Sequence, residues 1–326
     1  MPPERWRRAQ ADMRVGIVGA GMSGLACAER LARSGHTVAL WDKGRSAGGR
    51  MSVRRIATSL GEAAFDHGAQ YFTARDPGFR ARADDWISKG CLAAWPAAGA
   101  DAYVGTPGMN APLRQMAEGL PVQWGARVTG LSRQGPGWRL LLETGAAVEV
   151  DAVVLALPAE QAAELTMSVA PAMATRAQVT KTMPCWTVMA AFADRVPTTQ
   201  DCWRGDEDEP LGWAARNGSK PGRKGPEAWV LQASPGWSSQ YLEAPENEVT
   251  STLLAAFSKR LGTDLATPIS QATHRWRYAR SGAEGSGAIW DAEHRLGMCG
   301  DWLIGPRVEA AWVSGTALAE HIRSSL

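Results

Sequence analysis

Three glycines in the stretch "VGIVGAGMSGLACAERLARSGHTVALWDKG" carry a spacing that suits phosphates. Gly19, Gly21 and Gly24 spell G-x-G-x-x-G between an apolar run and a helical pattern. Gly19 permits the tight turn, Gly21 lets backbone come close to a pyrophosphate, and Gly24 lets the helix pack against the sheet. The phosphates then rest on free N–H groups at the helix N-terminus, where the dipole favours negative charge. Asp42, followed by Lys43, ends the next apolar run, where a carboxylate can accept hydrogen bonds from a ribose diol. Strand, glycines, helix, strand and acid occur in the required order, so a dinucleotide is expected. This motif does not separate NAD from FAD.

A second pair, Gly48-Gly49, followed by Arg50 and Met51, bears on that choice. NAD needs nothing beyond Asp42, whereas FAD lies extended and adds a ribityl chain and a flavin. Another close backbone approach, with a fixed guanidinium beside two phosphates, suits the longer cofactor. Near the C-terminus Gly300-Asp301 follows an apolar run, which suits a carboxylate bonding ribityl hydroxyls. "GPRVEAAWVSG" then opens a final helix near Arg307, Val308 and Glu309. A helix N-terminus aimed at the pyrimidine edge of a flavin stabilises the charge that develops there on reduction. FAD is therefore expected, held by both ends of the chain.

Other chemistry-bearing residues are fewer. "DHGAQYF" is expected to run as backbone beside the flavin, with Gly68 allowing close approach. Tyr71 and Phe72 wall a pocket there, or are plain core aromatics. The loop "WAARNGSKPGRK" offers Arg216, Asn217, Lys220 and Arg223 after the acidic run Asp206 to Glu209. Its cations are candidates to meet substrate phosphates or an amide, with Trp213, Trp276 and Trp290 stacking on a ring. The alternative is a solvated loop that balances its own charges. Among five histidines, His67 is placed near the flavin and His274 is the best polar pocket candidate, with a structural role open to it. None of the six lysines stands in a context that assigns it to flavin N5. The five cysteines show no C-x-x-C spacing and no histidine at ligand distance, so no metal is expected. They read as buried or free thiols of a reducing compartment, the cytoplasm.

The elements that must position these groups follow from periodicity. Val15 to Val18 is a strand, Met22 to Arg33 a helix closed by Gly35, and Thr37 to Trp41 a second strand. Ala81 to Trp95 is partly helical, and "VGTPGMNAPLRQMAEGL" passes from turn to helix. "RVTGLSRQ", "GWRLLLET" and "AVEVDAVVLALP" form a meander that leads into a buried strand, Ala152 to Leu157. Residues 160 to 265 mix helix and strand, "LGMCGDW" is a strand into a turn, and the tail is helical. With 326 residues, 45% of them hydrophobic and 21% charged, the chain has room for two domains. A net charge of +2 gives no reason to expect nucleic acid or a membrane surface. No apolar run is long enough to span a bilayer. The leader "MPPERWRRAQAD" lacks an apolar stretch and is expected to be a disordered extension rather than a secretory signal.

The N-terminal "GAGMSGLACAERLARSGHTVALWDK" with "GGRM", and the C-terminal "CGDWLIGPRVEAAWVSG", resemble the flavin-dependent amine oxidase superfamily. Within it, "FDHGAQYFTARD" (65–76), "VGTPGMNAP" (104–112), "ARNGSKPGR" (215–223) and "HRWRYAR" (274–280) resemble bacterial renalases. The resemblance implies an α/β (α+β), two-domain fold of the p-hydroxybenzoate hydroxylase type. A Rossmann-like FAD domain would comprise residues 13–75, 104–165 and 268–326. A mixed-sheet substrate domain would comprise 76–103 and 166–267. It implies non-covalent FAD, with Ser23, Asp42, Arg50, Ala69, Gln70, Val128, Asp301 and Glu309 at contact positions. The implied reaction takes hydride from 2- or 6-dihydro isomers of NAD(P)H, regenerates NAD(P)+ and passes electrons to O2, giving peroxide. The protein would be a monomer or weak dimer with a small-molecule substrate. A dihydronicotinamide yields hydride without prior loss of a proton, whereas an amine must first be deprotonated. Rival readings are an amine oxidase, a carotenoid-type desaturase and a flavin-binding redox sensor without turnover. The amine oxidase calls for an aromatic cage and an N5 lysine, the desaturase for an apolar tunnel.

Overall fold

The computed structural model describes residues 13–325; the expected extension, 1–12, lies outside the described residues. The chain divides into two compact units. One gathers the chain up to Gly49, Leu113–Lys181 and Ser281 onward; the other is Arg50–Pro112 with Thr182–Arg280.

In the first unit, Arg14–Val18, Met22–Arg33 and Thr37–Asp42 form the expected strand, helix and strand. Val15, Ile17 and Val18 are buried, and this strand pairs in parallel with Thr37–Asp42 on one side and Ala152–Leu155 on the other. A parallel strand with a partner on each side needs apolar residues on both faces, which explains the unbroken run. Six strands make the sheet, in the order Ile289–Asp291, Leu296–Met298, Ala152–Leu155, Arg14–Val18, Thr37–Asp42, Val122–Trp124. Only the pairing of Ile289–Asp291 with Leu296–Met298 is antiparallel. Val128–Gln134, Gly137–Leu142 and Ala147–Val150 form the expected antiparallel meander. Its Trp138 and Leu140 join Val153, Leu155, Trp302 and Leu303 in one core.

Glycine governs how the first helix is seated. A Cβ on Gly24 would lie 2.0 Å from the Gly19 carbonyl oxygen, and one on Gly315, in the last helix Val308–Ser324, would lie 2.1 Å from the Ser23 carbonyl oxygen. The helix N-terminus is thus pressed between its own loop and the last helix, backbone on backbone.

The second unit holds a five-stranded antiparallel sheet, Cys202–Arg204, Leu211–Arg216, Glu227–Ala233, Met183–Phe192, Ser270–Arg280. Helix Glu246–Leu261 covers it, burying Val249, Leu253 and Phe257 against Trp186, Trp229 and Leu231. The hairpin Val53–Thr58/Gly61–Asp66 packs Ala63 and Phe65 against Met189, Ala228 and Val230 of that sheet.

Four boundaries differ from the sequence expectation. Residues 50–75, 104–112 and 268–280 belong with the second unit rather than with the dinucleotide unit. The cause is pairing and packing: Ser270–Arg280 runs along Met183–Phe192, and the hairpin needs the second unit's sheet to bury Phe65. Residues 166–181 join the first unit, where Met173 and Ala177 of helix Pro171–Gln178 enter its core. The helix expected from Ala81 starts earlier, at Pro77–Ser88, because the Asp76 carboxylate accepts the Phe79 N–H at 2.9 Å and fixes the N-terminus. Among the described residues no helix is long and apolar enough to cross a membrane.

The Gly315→Ala substitution is expected to wedge the two helices apart, costing about 1–3 kcal/mol and lowering the thermal midpoint by several degrees. Gly218→Ala, where a Cβ meets nothing within 4 Å, serves as the control. Equal midpoints for the two variants in a thermal melt contradict the close-packing account.

Candidate functional site

The cradle for a dinucleotide is built wholly within the first unit. Gly19 has φ +100° and donates its N–H to the Trp41 carbonyl at 2.8 Å, which folds the loop back over the sheet. A Cβ on Gly21 would meet nothing within 4 Å, and one on Gly49, at φ +50°, would stand 3.8 Å from the Gly21 Cα. Two glycine loops therefore face each other as bare backbone with open space beside Gly21. Helix Met22–Arg33 has no side-chain cap and no acid in its first turn, so its leading N–H groups remain for an anion. The Asp42 carboxylate accepts the Ala20 and Gly44 N–H groups, each at 2.7 Å, and keeps further lone pairs for a ribose. Lys43 beside it is exposed.

At the other end of the unit two carboxylates are almost fully enclosed. Asp301 is 5% exposed and accepts the Ser281 hydroxyl at 3.0 Å; Glu309 is 4% exposed in the first turn of the last helix, 3.5 Å from the Arg307 guanidinium. The Gly300 N–H donates to the Ser314 hydroxyl oxygen at 3.0 Å, tying the loop to that helix. Val308 is half-buried. The Ser23 backbone forms the contact with Gly315, and the Val128 side chain is spent in the core. The bare glycine loops, the ribose carboxylate and the enclosed acid at a helix N-terminus fit a long bis-phosphate cofactor.

The second unit contributes a strap, residues 66–72, pinned along its backbone. Asp66 is 1% exposed. One carboxylate oxygen accepts the Met109 N–H at 2.9 Å; the other accepts Lys220 Nζ at 3.1 Å and Arg223 Nη2 at 2.6 Å. Lys220 also donates to Gln70 Oε1 at 3.2 Å, and the Gln70 amide donates to the Asp66 and Gly68 carbonyls. Asn217 donates to the Ala64 carbonyl at 2.7 Å and accepts the Asp66 N–H at 3.2 Å. Gln232 donates to the Gly68 carbonyl at 2.7 Å and Trp276 Nε1 to the His67 carbonyl at 2.9 Å. The Ala69 N–H reaches the Arg50 carbonyl at 2.8 Å, and Gly68 must be glycine because a Cβ would fall 2.0 Å from that oxygen. Arg50 also donates to the Ala279 carbonyl at 3.4 Å, and Met51 is buried. Burial alone would raise the Asp66 carboxyl, but Lys220 and Arg223 overcome it and hold it below its ordinary value. Burial brings the Lys220 ammonium down to about 8, against the pull of Asp66.

Several expectations are corrected here. Arg216 is no substrate contact: it is 2% exposed, bonds Glu227 and Asp201 at 3.1 Å each and the Val196 and Thr198 carbonyls, and lies 5.0 Å over the Trp229 ring. Asn217, Lys220 and Arg223 likewise turn inward, onto the strap. Buried carboxylates need counter-charges, and this loop supplies them. Gln70 spends its amide within the same network. The Phe72 ring packs on Phe79 and Tyr103 at 5.6 and 6.3 Å, so it is core rather than pocket wall. Trp290 is not available to stack on a ligand ring near Asp301. It sits on the edge strand and donates to the Ser325 hydroxyl at 2.9 Å, beyond the C-terminal end of a 17-residue helix whose start carries Glu309. That helix is about 25 Å long. Tyr71 and Trp213 do meet, ring centroids 5.7 Å apart. His67, His274 and Trp276 form one ring cluster, with centroids between 4.4 and 5.1 Å.

The sequence reading missed Asp66 and Gln232. Asp66 had a signal, an acid closing the apolar strand "GEAAFD"; Gln232 had none, since its partner lies far away in the chain.

Residues 94–322 match the family model for flavin containing amine oxidoreductases, and residues 17–85 match that of an NAD(P)-binding Rossmann-like domain. Solved structures share the fold over 96% of this chain and 99% of theirs. They include an Exiguobacterium protein assigned as a protoporphyrinogen oxidase (14% identity, TM-score 0.74) and putrescine oxidase bound to putrescine (15%, 0.70). Cyclohexylamine oxidase from Brevibacterium oxydans is a third (13%, 0.68). Cradle and fold together define a mixed α/β, FAD-dependent oxidoreductase. The chain belongs to the flavin containing amine oxidoreductase family, and FAD is its cofactor.

Burial, then the neighbouring His274 and Arg54, lower the His67 imidazole to about 4; burial and Arg54 lower His274 as well. Asp66 and Glu246 pull the other way and are outweighed. A histidine held neutral contributes stability above its unfolded value near 6.5, and that stability is lost as pH falls toward 4. His67→Gln is expected to flatten the acid limb of a urea-unfolding series between pH 6.5 and 4, by up to about 3 kcal/mol. An unchanged limb contradicts a neutral His67.

Proposed function

We propose that this protein is a FAD-dependent oxidase of the bacterial renalase kind, acting on 2- or 6-dihydro isomers of NAD(P)H. The observation that carries this reading is the convergence of the four renalase-like stretches. Residues 65–76, 104–112, 215–223 and 274–280 are far apart in sequence, yet Asp66, Met109, Asn217, Lys220, Arg223 and Trp276 join them into one hydrogen-bonded assembly around the strap. FAD held by the glycine loops, Asp42, Asp301 and the last helix would supply the hydride acceptor, with O2 as the electron acceptor that yields peroxide.

The side chains of the strap suit a substrate that loses no proton before hydride transfer. The His67 imidazole, lowered to about 4 by burial, is a weak base, the half-buried His274 is lowered too, and Lys220 is engaged by Asp66 and Gln70. An amine needs a base to deprotonate its ammonium. One observation favours the amine-oxidase alternative, the buried Lys220 at about 8, but its Nζ is held on a carboxylate. The same reading makes FAD non-covalent and the fold one of the p-hydroxybenzoate hydroxylase type. It places the protein in the cytoplasm, in keeping with five free thiols, as a monomer or weak dimer without nucleic-acid or membrane partners.

Anaerobic mixing of the yellow protein with 2- and 6-dihydroNAD(P) should bleach the flavin rapidly, and air should restore it, while putrescine and other simple amines leave it yellow. Bleaching by amines and not by the isomers overturns the reading. Bleaching by neither favours a sensor without turnover.

A further inference from the structure

Arg204 is held by aromatic rings rather than by a carboxylate. Arg216, Arg223, Arg275 and Arg277 each sit on a carboxylate. The Arg204 guanidinium has no carboxylate partner among the described residues. It is held instead by two rings, 5.2 Å over Trp213 and 5.9 Å over Tyr71, and its Nη2 donates to the Tyr71 hydroxyl. A guanidinium on aromatic faces keeps its charge and its fork of donors while its orientation is fixed. Arg204 is exposed, and its Nε–H and Nη1–H groups have no hydrogen-bond partner among the described residues. Trp213 is 8% exposed, and its indole N–H finds no acceptor among the described residues. The cluster is rich in donors and poor in acceptors.

We propose that Tyr71, Trp213 and Arg204 form an anion subsite in which Arg204 binds a phosphate of the dinucleotide substrate. This rests on the reading of the protein as an oxidase of dihydronicotinamide dinucleotides. It names Arg204 as the residue that sets substrate class. A cation already covers the aromatic pair, so an alkylammonium meets like charge there, whereas a phosphate meets a prearranged bidentate donor. The aromatic pair, which in an amine-binding site would cradle an ammonium, here carries the protein's own cation.

The test is isothermal titration of the FAD-loaded protein with nicotinamide mononucleotide and nicotinamide riboside, which differ only in the phosphate. The wild type is expected to bind the mononucleotide about tenfold or more tightly than the riboside, the strength of a hydrogen bond to a charged group. Arg204→Met should abolish that ratio and leave riboside affinity and flavin content unchanged. Arg204→Lys should keep part of it, as a point charge without the fork. A ratio that survives in Arg204→Met overturns the proposal, as does a wild type that binds neither ligand. If the wild type is still bleached by dihydro isomers when the ratio survives, only the subsite fails and the proposed function stands. If the isomers do not bleach it either, both fail.

Discussion

In the dinucleotide unit the first and last helices meet backbone on backbone. The N-terminal turn of helix Met22–Arg33 lies against the Gly19 carbonyl on one side and against Gly315 of the last helix on the other, at distances where any Cβ would collide. This constraint fixes the direction of the helix and therefore the direction of its free N–H groups. It also brings the last helix, with Glu309 in its first turn, into the same unit as the first glycine loop. A cofactor with two phosphates and a distant ring needs both ends of the chain, and backbone packing is what lets one unit provide them.

The second unit depends on a different interaction, the charge of Asp66. An enclosed carboxylate is tolerated only when paired and hydrogen-bonded. Here Lys220 and Arg223 of one loop and the Met109 N–H of another answer it. The consequence is a strap, residues 66–72, whose His67 and Gly68 carbonyls are taken by Gln70, Gln232 and Trp276. The loop 216–223 therefore gives its polar groups to rigidity. What remains at the strap for a ligand is Tyr71, whose hydroxyl faces Arg204 rather than the core.

The sequence made the dinucleotide unit largely legible because its signals are local. Glycine spacing, an acid at a strand end and a helix beginning after "GPR" each act within a few residues of themselves. The second unit was poorly legible because its signals are not. Nothing near Arg216 announces that Glu227 and Asp201 will enclose it, and nothing near Lys220 announces Asp66. Unit boundaries were missed for the same reason: residues 268–280 were placed with the C-terminal flavin segment, but the pairing of Ser270–Arg280 along Met183–Phe192 decides where they belong. Trp290 was misjudged because an indole in sequence carries no sign of which end of a helix it will meet.

The most direct measurement of the central claim, that the glycine loops and the C-terminal segment of one unit hold a single long flavin nucleotide, is the cofactor released by denaturing the purified protein. The account requires FAD in the supernatant at close to one equivalent per chain, with the freed protein colourless and able to take FAD up again on refolding. A colourless native protein that takes up no FAD when offered it, or one that releases only a nicotinamide nucleotide, contradicts the account.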